Sequence, residues 1–392
     1  MIKVAIIGTG NVARMHIDAY RAFPQRCRIT HLVDIASEKA EALNKSLGLG
    51  AKVGASHGEI LGEDFDLASV CGPPFSHAKI AADLLRAGKN ALVEKPMAVS
   101  LQECDEMIAA QKAGGKMLSV IAQNRFREPI AALKKVLDSG LIGKIVHAQI
   151  DSLWWRGHSY YDLWWRGTWE KEGGGCTLNH AVHHIDMLCW MLGMPASVVA
   201  MLGNAAHDNA EVEDISIAAL RYEGGEGSLC SKGALAQLTS SVVHHGQEQQ
   251  LVFQGEKARV SAPWKAVAQI AQKNGFPAEA RDEALEKKLN DIFAGFGALP
   301  HELHAGQIDD ALRAIEMGCA PAITAQDGRN AIELITAIYK AGAEGRHVSL
   351  PIAADDPFYT VEGFLSQVPR FYKKTASVQD LGAGEGISLG TI

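Results

Sequence analysis

The stretch GKNALVEKPMAVS, residues 88–100, places a charged pair, Glu94 and Lys95, directly after an apolar run that is typical of a buried strand. A lysine at the carboxyl end of a central strand lies at the crevice where open α/β sheets bind ligands. Partial desolvation lowers the pKa of such a lysine toward neutrality, which suits a general acid or base. Removing a hydroxyl proton during hydride transfer needs such a base. From the dipeptide alone, an exposed ion pair at a strand end is the alternative.

A second group of residues that could do chemistry follows three glycines in GGGCTLNHAVHHIDMLCWMLG, residues 173–193. Its apolar spacing and its last glycine predict one helix, and the glycines would let that helix begin close to a ligand. A polar face on an otherwise apolar helix is costly to bury unless it serves a site, and a histidine beside a hydroxyl can exchange a proton near neutral pH. The residues expected on that face are Asn179, His183, Asp186 and Trp190.

His180 and His184 stand one helical turn apart, which invites a zinc interpretation. A zinc metalloprotease motif needs a glutamate at position 181, where this chain has Ala181. No cysteine or carboxylate completes a tetrahedral ligand set in the sequence around them. We therefore expect no metal ion and interpret both histidines as packed side chains.

The segment SLWWRGHSYYDLWWRGTWEKEGGG, residues 152–175, holds five of the seven tryptophans of the chain. Aromatic planes stack on the apolar faces of sugar rings, while arginine and tyrosine bind hydroxyl or carboxylate groups. An aromatic loop core or interface is the equally favoured alternative. The candidate substrate contacts in this segment are Tyr160, Arg166 and Trp169.

A glycine-rich turn, IIGTGNVARMH, has the G-x-G-x-x-A spacing of a dinucleotide-binding motif between a predicted strand and a predicted helix. The first glycine allows the tight turn, the second lets the backbone approach a pyrophosphate, and the amino end of the helix offers N–H groups. A glycine turn used for packing alone is the alternative. The expected cofactor contacts here are Gly8, Thr9, Gly10, Asn11 and Val12, while Ala13 keeps the helix close to the sheet.

Asp34 ends the second predicted strand about 20 residues past this turn, where an acid hydrogen-bonds the adenosine ribose. A carboxylate repels a 2′-phosphate, and the next residue is Ile35 rather than an arginine. The pair therefore favours NAD over NADP. Lys39, close by, keeps NADP as the alternative.

The pattern of apolar residues predicts two architectures in one chain. Up to about residue 125, short apolar runs alternate with helical patterns, which predicts a doubly wound, Rossmann-type parallel sheet. Beyond it, longer alternating segments predict an open-faced, mainly antiparallel sheet with helices on one face. We expect an NAD-binding domain over residues 1–125. A substrate-binding and oligomerisation domain of the α+β class follows over residues 126–392, with its last helices free to pack back on the first domain.

Composition narrows the class of protein further. The chain has 392 residues, of which 47% are apolar and 21% charged, and its formal net charge is −7. This balance gives no basic stripe for nucleic acid or an anionic membrane, and no run is long enough for a membrane span. The seven cysteines show no CxxC spacing, which favours reduced thiols and a cytoplasmic location.

Together these motifs resemble the Gfo/Idh/MocA family of oxidoreductases, whose members join a Rossmann domain to an open-faced sheet domain and carry the E-K-P signature. Segments such as CGPPFSHAKIAADLLRAGKNALVEKP, NRF, GLIGKI and EGGGCTLNHAVHHIDMLCWMLG follow the order of the family over nearly the whole chain. The resemblance implies that Lys95 is the catalytic lysine and His183 the catalytic histidine. It also implies cofactor neighbours at Pro73, Pro74, His77, Glu94, Lys95, Gln123 and Asn124.

Asn179 departs from the family pattern, because many members that oxidise cyclic polyols carry an aspartate there. An amide cannot accept a proton, so Asn179 is expected to hold the substrate or His183 by hydrogen bonds. Acid–base work is then left to Lys95 and His183.

The expected activity is NAD-dependent hydride transfer to or from a hydroxyl or keto carbon of a sugar, sugar acid or cyclic polyol. The alternatives are an NAD-bound lyase or glycosidase acting through transient oxidation, and a non-catalytic NAD-binding regulator. The open sheet face predicts a homodimer or homotetramer. Neither a nucleic acid nor a membrane is expected as a partner.

Overall fold

The computed structural model describes residues 1–378. Its first sheet has six parallel strands in the order β3-β2-β1-β4-β5-β6. The strand order reverses between β1 and β4, which confirms the doubly wound sheet and creates a crevice at their carboxyl ends. The strands are β1 (Ile2–Ile7), β2 (Cys27–Val33), β3 (Lys52–Gly54), β4 (Leu67–Val70), β5 (Asn90–Val93) and β6 (Leu118–Val120).

Helices cover both faces of this sheet, so its central strands β1 and β4 are buried except at Lys3. Their ends follow local signals. In the longest of them the Ser100 side chain accepts a hydrogen bond from the N–H of Glu103 at the amino end, and Gly115 ends the helix in the left-handed conformation. The helices are α1 (Asn11–Arg21), α2 (Ser37–Leu47), α3 (His57–Ile60), α4 (Pro74–Arg86) and α5 (Leu101–Gly114).

The second sheet has eight strands in the order β13-β12-β11-β7-β10-β9-β8-β16. All neighbouring strands pair antiparallel except β7 and β10, so the sheet is mainly antiparallel, as expected. Its strands are β7 (Ile145–Leu153), β8 (Ser197–Gly203), β9 (Ile215–Arg221), β10 (Cys230–Ser241), β11 (Gln249–Gly255), β12 (Arg259–Ala262), β13 (Lys265–Val267) and β16 (Val348–Ser349). The hairpin of β14 (Gln269–Ala271) and β15 (Pro277–Arg281) lies outside it.

One face of the second sheet is covered and the other is open. In β9 buried and exposed residues alternate, as the period of two requires. The open face carries large apolar side chains, namely Val199, Met201, Ile217 and Leu235.

The helices of the second half begin with α6 (Glu128–Asp138), α7 (Trp169–Glu172), α8 (Cys176–Asn179) and α9 (Val182–Leu192), and continue with α10 (Glu283–Ala294), α11 (Leu303–Met317), α12 (Ala325–Glu344) and α13 (Val361–Gln367). Short 3₁₀ helices occupy Gln123–Phe126, His158–Asp162 and Pro357–Tyr359. Within residues 1–378, no helix combines the length and the apolar character needed to cross a bilayer.

Two C-terminal helices join the halves of the molecule. The apolar side of α11, including Ile308 and Leu312, belongs to the core around α1 and the first sheet. In α12, Gly328 packs closely on β6 and on the turn after β5: a Cβ atom there would lie 2.7 Å from a Val120 methyl group and 3.0 Å from the Met97 sulfur. The turn that carries Lys95 is therefore held from the second half as well as the first.

Candidate active site

The glycine turn after β1 is built for close approach. Gly8 has φ +92°, and a Cβ atom there would lie 2.8 Å from the carbonyl carbon of Cys71, so a side chain fits neither the backbone nor the space. In front of Gly10 there is open space, and no side chain of the described residues caps the amino end of α1. The unpaired N–H groups of this helix end can therefore receive an anion such as a pyrophosphate.

Asp34 follows β2 and is fixed against the same turn. One carboxylate oxygen accepts hydrogen bonds from the Thr9 N–H at 2.7 Å and the Thr9 hydroxyl at 2.8 Å, and the other accepts from the N–H of Ala36 at 3.0 Å. A carboxylate has lone pairs left for a ribose hydroxyl after these bonds. Ile35, 88% exposed, stands beside it. This arrangement fits the adenosine half of NAD.

The residues after β4 and β6 complete the crevice. Pro73 precedes α4 and Pro74 opens it. His77 is fully buried, with its ring nitrogens 2.8 Å from the Pro96 carbonyl oxygen and 2.9 Å from that of Gly72. Its side chain therefore fixes the turns at Gly72 and Pro96, and its place as a neighbour of the cofactor stays a prediction.

Gln123 and Asn124 lie in the 3₁₀ helix that follows β6. Gln123 is buried, and its side-chain carbonyl oxygen has no hydrogen-bond partner among residues 1–378. Buried polar atoms are seldom left unpaired, so this oxygen fits a hydrogen-bond donor from a bound ligand.

Glu94 is held by two histidines that the sequence interpretation missed. One of its oxygens accepts from Nε2 of His16 at 2.8 Å and lies 3.4 Å from Nε2 of His304, while the other accepts from the N–H of Lys95. Burial by itself raises the pKa of Glu94, but the hydrogen bonds from His16 and His304 outweigh it and hold that pKa well below its usual range. No spacing rule connects these three residues, because they come from α1, the end of β5 and α11.

The ligand atoms of His16, Glu94 and His304 lie within 4.8 Å of one another, a geometry open to a metal ion. Hydrogen bonds already account for the cluster, since His16 also bonds through Nδ1 to the Ser69 hydroxyl at 3.1 Å. Among the described residues this is the one such group, and neither His180 nor His184 belongs to it.

Lys95 and His183 are brought together. They line one small cavity between the two halves of the molecule, with Val182 and Asp186 on the same wall. Nζ of Lys95 donates to the backbone oxygen of Asn179 at 3.1 Å. Burial lowers the pKa of Lys95, and the negative charge of Glu94 offsets part of that shift. Burial, and then the charge of Lys95, lower the pKa of His183 well below its ordinary value, so its imidazole is neutral.

The expected single helix after the glycines is wrong, because the chain forms α8 and α9 with a break at His180 and Ala181. The glycines approach protein rather than ligand. A Cβ atom on Gly174 would lie 2.1 Å from the Tyr339 hydroxyl oxygen, and one on Gly175 would lie 1.9 Å from the Glu213 carbonyl oxygen. This tight packing fixes the start of α8, and with it Asn179.

The residues of the expected polar face have two separate roles. Asp186 binds Arg125 through both oxygens at 2.8 and 2.7 Å, and the Arg125 guanidinium lies 5.3 Å from the ring centre of Trp190. Asp186 and Trp190 therefore secure Arg125. Asn179 and His183 remain next to Lys95.

His180 and His184 are both buried, as expected for packed side chains, but their polar atoms are not fully satisfied. Nε2 of His180 lies 3.4 Å from the Tyr160 hydroxyl, and both ring nitrogens of His184 lack partners within the described chain. Burial lowers the pKa of His184 to about 3, so this ring is neutral.

The aromatic segment divides between core and site. Trp169, expected to contact substrate, is 1% exposed, donates through its indole N–H to the Pro369 carbonyl at 2.9 Å and packs edge-on against Tyr339 and Phe364. The expectation is wrong for Trp169, because the short helix α7 turns this side chain inward.

Arg166 and Tyr160 lie instead beside the site. The Arg166 guanidinium stacks 4.1 Å from the ring centre of Tyr160 and 4.2 Å from that of Trp165. Its Nη1 donates to the Tyr160 hydroxyl and, at 3.1 Å, to Glu172. Glu172 also accepts from the side-chain nitrogen of Asn179, so this layer is connected to the residue that contacts Lys95.

Two family models match the chain. The one described as an oxidoreductase family with an NAD-binding Rossmann fold matches residues 2–122, and the GFO/IDH/MocA C-terminal domain matches residues 130–261. The two matches lie on the first sheet and on the greater part of the second, in the expected order.

Individual relatives extend over most of the chain. Inositol 2-dehydrogenase of Rhizobium meliloti (strain 1021) is 25% identical over 357 residues, which are 89% of this chain and 99% of that protein. The crystal structure of the WlbA dehydrogenase from Bordetella pertussis, in complex with NADH and UDP-GlcNAcA, is similar with a TM-score of 0.75 and 26% identity over 90% of this chain and 98% of that chain. A 2,7-anhydro-N-acetylneuraminate hydratase of Mediterraneibacter gnavus is 26% identical, but the match covers 50% of this chain and 51% of that protein.

Proposed function

This chain belongs to the Gfo/Idh/MocA family of oxidoreductases, and on that premise we propose that it is an NAD-dependent enzyme acting on a hydroxyl or keto carbon of a sugar, sugar acid or cyclic polyol. The observation that carries the proposal is the cavity shared by Lys95 and His183. Dehydrogenase relatives that match nearly the whole chain support the substrate class. The domain of residues 1–125 would hold the cofactor and that of 126–392 the substrate.

Bound NAD supplies the nicotinamide carbon that accepts or donates the hydride. The glycine turn would receive its pyrophosphate and Asp34 its ribose, since the turn leaves open space and the acid is already fixed in place. The unpaired oxygen of Gln123 would accept from the carboxamide.

The proton of the substrate hydroxyl would pass to Lys95. Its lowered pKa increases the neutral, proton-accepting fraction at neutral pH. The neutral ring of His183, on the same cavity wall, would orient the hydroxyl and share the proton. Asn179 cannot take up a proton, and it holds the Lys95 side chain through its backbone oxygen.

A screen of neutral polyols, sugars and sugar acids with NAD tests the proposal. We expect stoichiometric NADH, measured by absorbance, with at least one of these substrates. Tight NAD binding without turnover of any candidate would instead favour the non-catalytic regulator and would contradict the proposal.

One relative is named as a hydratase, and adding or removing water causes no net oxidation of a substrate. This favours one alternative, an enzyme that keeps its NAD bound and oxidises the substrate only transiently. Single-turnover absorbance separates the two mechanisms. A dehydrogenase accumulates NADH in proportion to product, whereas the alternative forms product without net reduction of NAD.

The open face of the second sheet supports a homodimer or homotetramer, in which a second copy would cover Val199, Met201, Ile217 and Leu235. Light scattering at micromolar concentration is expected to give a multiple of the 42.0 kDa chain mass. We place the protein in the cytoplasm on the strength of its free cysteines.

A further inference from the structure

Glu172 is a buried carboxylate at the end of α7 that has no step in the proposed reaction. Its side chain accepts hydrogen bonds from three donors: the side-chain nitrogen of Asn179, Nη1 of Arg166 at 3.1 Å and the N–H of Gly167 at 2.6 Å. A buried carboxyl group with three donors has one orientation, because each donor lost would leave a buried oxygen or its donor unpaired.

Asn179 is held at two points as a result. Its backbone oxygen accepts from Lys95, and its side-chain nitrogen donates to Glu172. Because both oxygens of Glu172 also face donors, the atom of the amide that meets them must be the nitrogen. The amide oxygen, Oδ1, is left without a protein partner in residues 1–378.

We propose that Glu172 is a positioning residue, which fixes the Asn179 amide so that its Oδ1 is presented to the substrate, and that the substrate group bound there is a hydroxyl. The inference rests on the proposed function, because it takes the substrate to lie against Lys95 and His183. A carbonyl oxygen accepts a hydrogen bond from a hydroxyl and repels a carboxylate.

The competing interpretation has the Asn179 amide donating to a substrate carboxylate. That role would have to use the second N–H of the amide, because the first already meets Glu172. The two interpretations differ in the charge of the preferred substrate, which makes them separable.

Swapping donor and acceptor tests the contact. Asn179→Asp sets two carboxylates against each other, and Glu172→Gln replaces one accepting oxygen by an NH2 group that faces donors. In the double variant the new amide at position 172 can donate to the new carboxylate at position 179, whose other oxygen again serves as an acceptor. We expect each single variant to raise KM for a neutral polyol about 10- to 100-fold with a smaller change in kcat, the usual effect of mispairing a buried polar group.

The double variant is expected to return KM to within about 10-fold of the wild-type value. The matched control is Glu170→Gln, an exposed glutamate two residues away on the same short helix, which should leave KM unchanged. Losses that simply multiply in the double variant would overturn the inference. A KM effect of Glu172→Gln confined to sugar acids would overturn the hydroxyl assignment.

Thermal unfolding of the wild type, the two single variants and the double variant needs no substrate. It therefore tests this inference separately from the proposed function. Asn179→Asp should lower Tm, and the added Glu172→Gln should restore most of it. If wild type turns over no substrate, the proposed function fails, and the unfolding cycle still decides the contact: coupled effects support it and additive effects overturn it.

Discussion

Glu94 and Glu172 are both buried carboxylates that flank Lys95 and Asn179, one from each half of the molecule, yet their pKa values shift in opposite directions. For Glu94, hydrogen bonds from His16 and His304 outweigh burial and hold the pKa well below its usual range. For Glu172, burial outweighs the charge of Arg166 and raises the pKa to about 7. Burial alone therefore does not set the charge of a site; the donors that accompany it do.

This difference suits their places in the site. Glu94 is ionised whenever Lys95 works, so it raises the pKa of the buried lysine and limits the effect of burial. Glu172 titrates near neutrality and lies among side chains that would position the substrate. The first carboxylate tunes a proton-transfer group, and the second holds a binding group.

The largest expected effect is on the group between them. Lys95→Ala should lower turnover by roughly 10²-fold or more, the usual contribution of a positioned acid–base group, with NAD affinity largely kept. Lys89→Ala is the matched control, because this lysine lies at the other end of β5 and bonds only to backbone carbonyls of the described chain. Turnover that survives Lys95→Ala within a few fold would make Lys95 structural.

Glu94→Gln tests whether the charge of Glu94 sets the pKa of Lys95. The substitution removes the negative charge that supports protonated Lys95, so the pKa of Lys95 falls further and the limb of the pH–rate profile that reports it moves to lower pH by about one unit. We expect turnover at the optimum to fall about 10-fold, because a lysine of lower pKa is a weaker base. Glu103→Gln, which neutralises a partly buried carboxylate that accepts from the Val99 N–H at 3.0 Å, should leave that limb in place. A limb that does not move in Glu94→Gln would separate the glutamate from Lys95.

The raised pKa of Glu172 predicts how the free energy of unfolding depends on pH. Unfolded Glu172 ionises at its ordinary pKa of 4.5, whereas the folded form keeps its proton up to about 7. Between these values the folded state binds more protons, so stability falls as pH rises, by about 3 kcal/mol once the window is crossed. Glu172→Gln should flatten this dependence between about pH 5 and pH 8 in urea unfolding. Equal slopes in variant and wild type would show that Glu172 is ionised throughout.

The ionisation of Glu94 should change the stability of the fold with pH in the opposite direction. Its stabilisation is present above the unfolded pKa and is lost as pH falls through its depressed folded value, so it adds nothing to the slope near neutrality.

The cofactor half was predictable because its signals are local. Gly8, Gly10 and Asp34 follow strands at fixed offsets, and the parallel sheet brings those offsets to one edge. Lys95 could be placed by the same rule. Its neighbour His183 was expected on the polar face of the helix after the glycines, and its catalytic role came from the family resemblance.

The substrate half resisted prediction because its contacts are not periodic. The start of α8, and with it the position of Asn179, depends on Gly174 and Gly175 meeting Tyr339 and Glu213, a contact between segments far apart in sequence. Trp169 and Arg166 stand three residues apart in one aromatic segment, and only the packing of α7 shows that the first enters the core. Glu172 carried no signal of its own beyond preceding three glycines.

Asp34 differs from Glu94 and Glu172, because it lies at the surface of the crevice and would contact a ligand directly. Its substitution is expected to have the smallest effect on turnover. Its bonds to Thr9 and Ala36 fix it where it would accept from the ribose and repel a 2′-phosphate. Asp34→Ala should therefore relax the NAD preference, raising KM for NAD several-fold and lowering it for NADP, while kcat changes little.

Asp34→Asn separates charge from hydrogen bonding at the same position. The amide keeps an acceptor but loses the repulsion, so NADP should gain while NAD loses little. Steady-state kinetics with both cofactors give the ratio of kcat/KM directly. An NAD/NADP ratio unchanged in both variants would remove Asp34 from the ribose site, and the local rule that located the whole cofactor half would then have failed at its most specific residue.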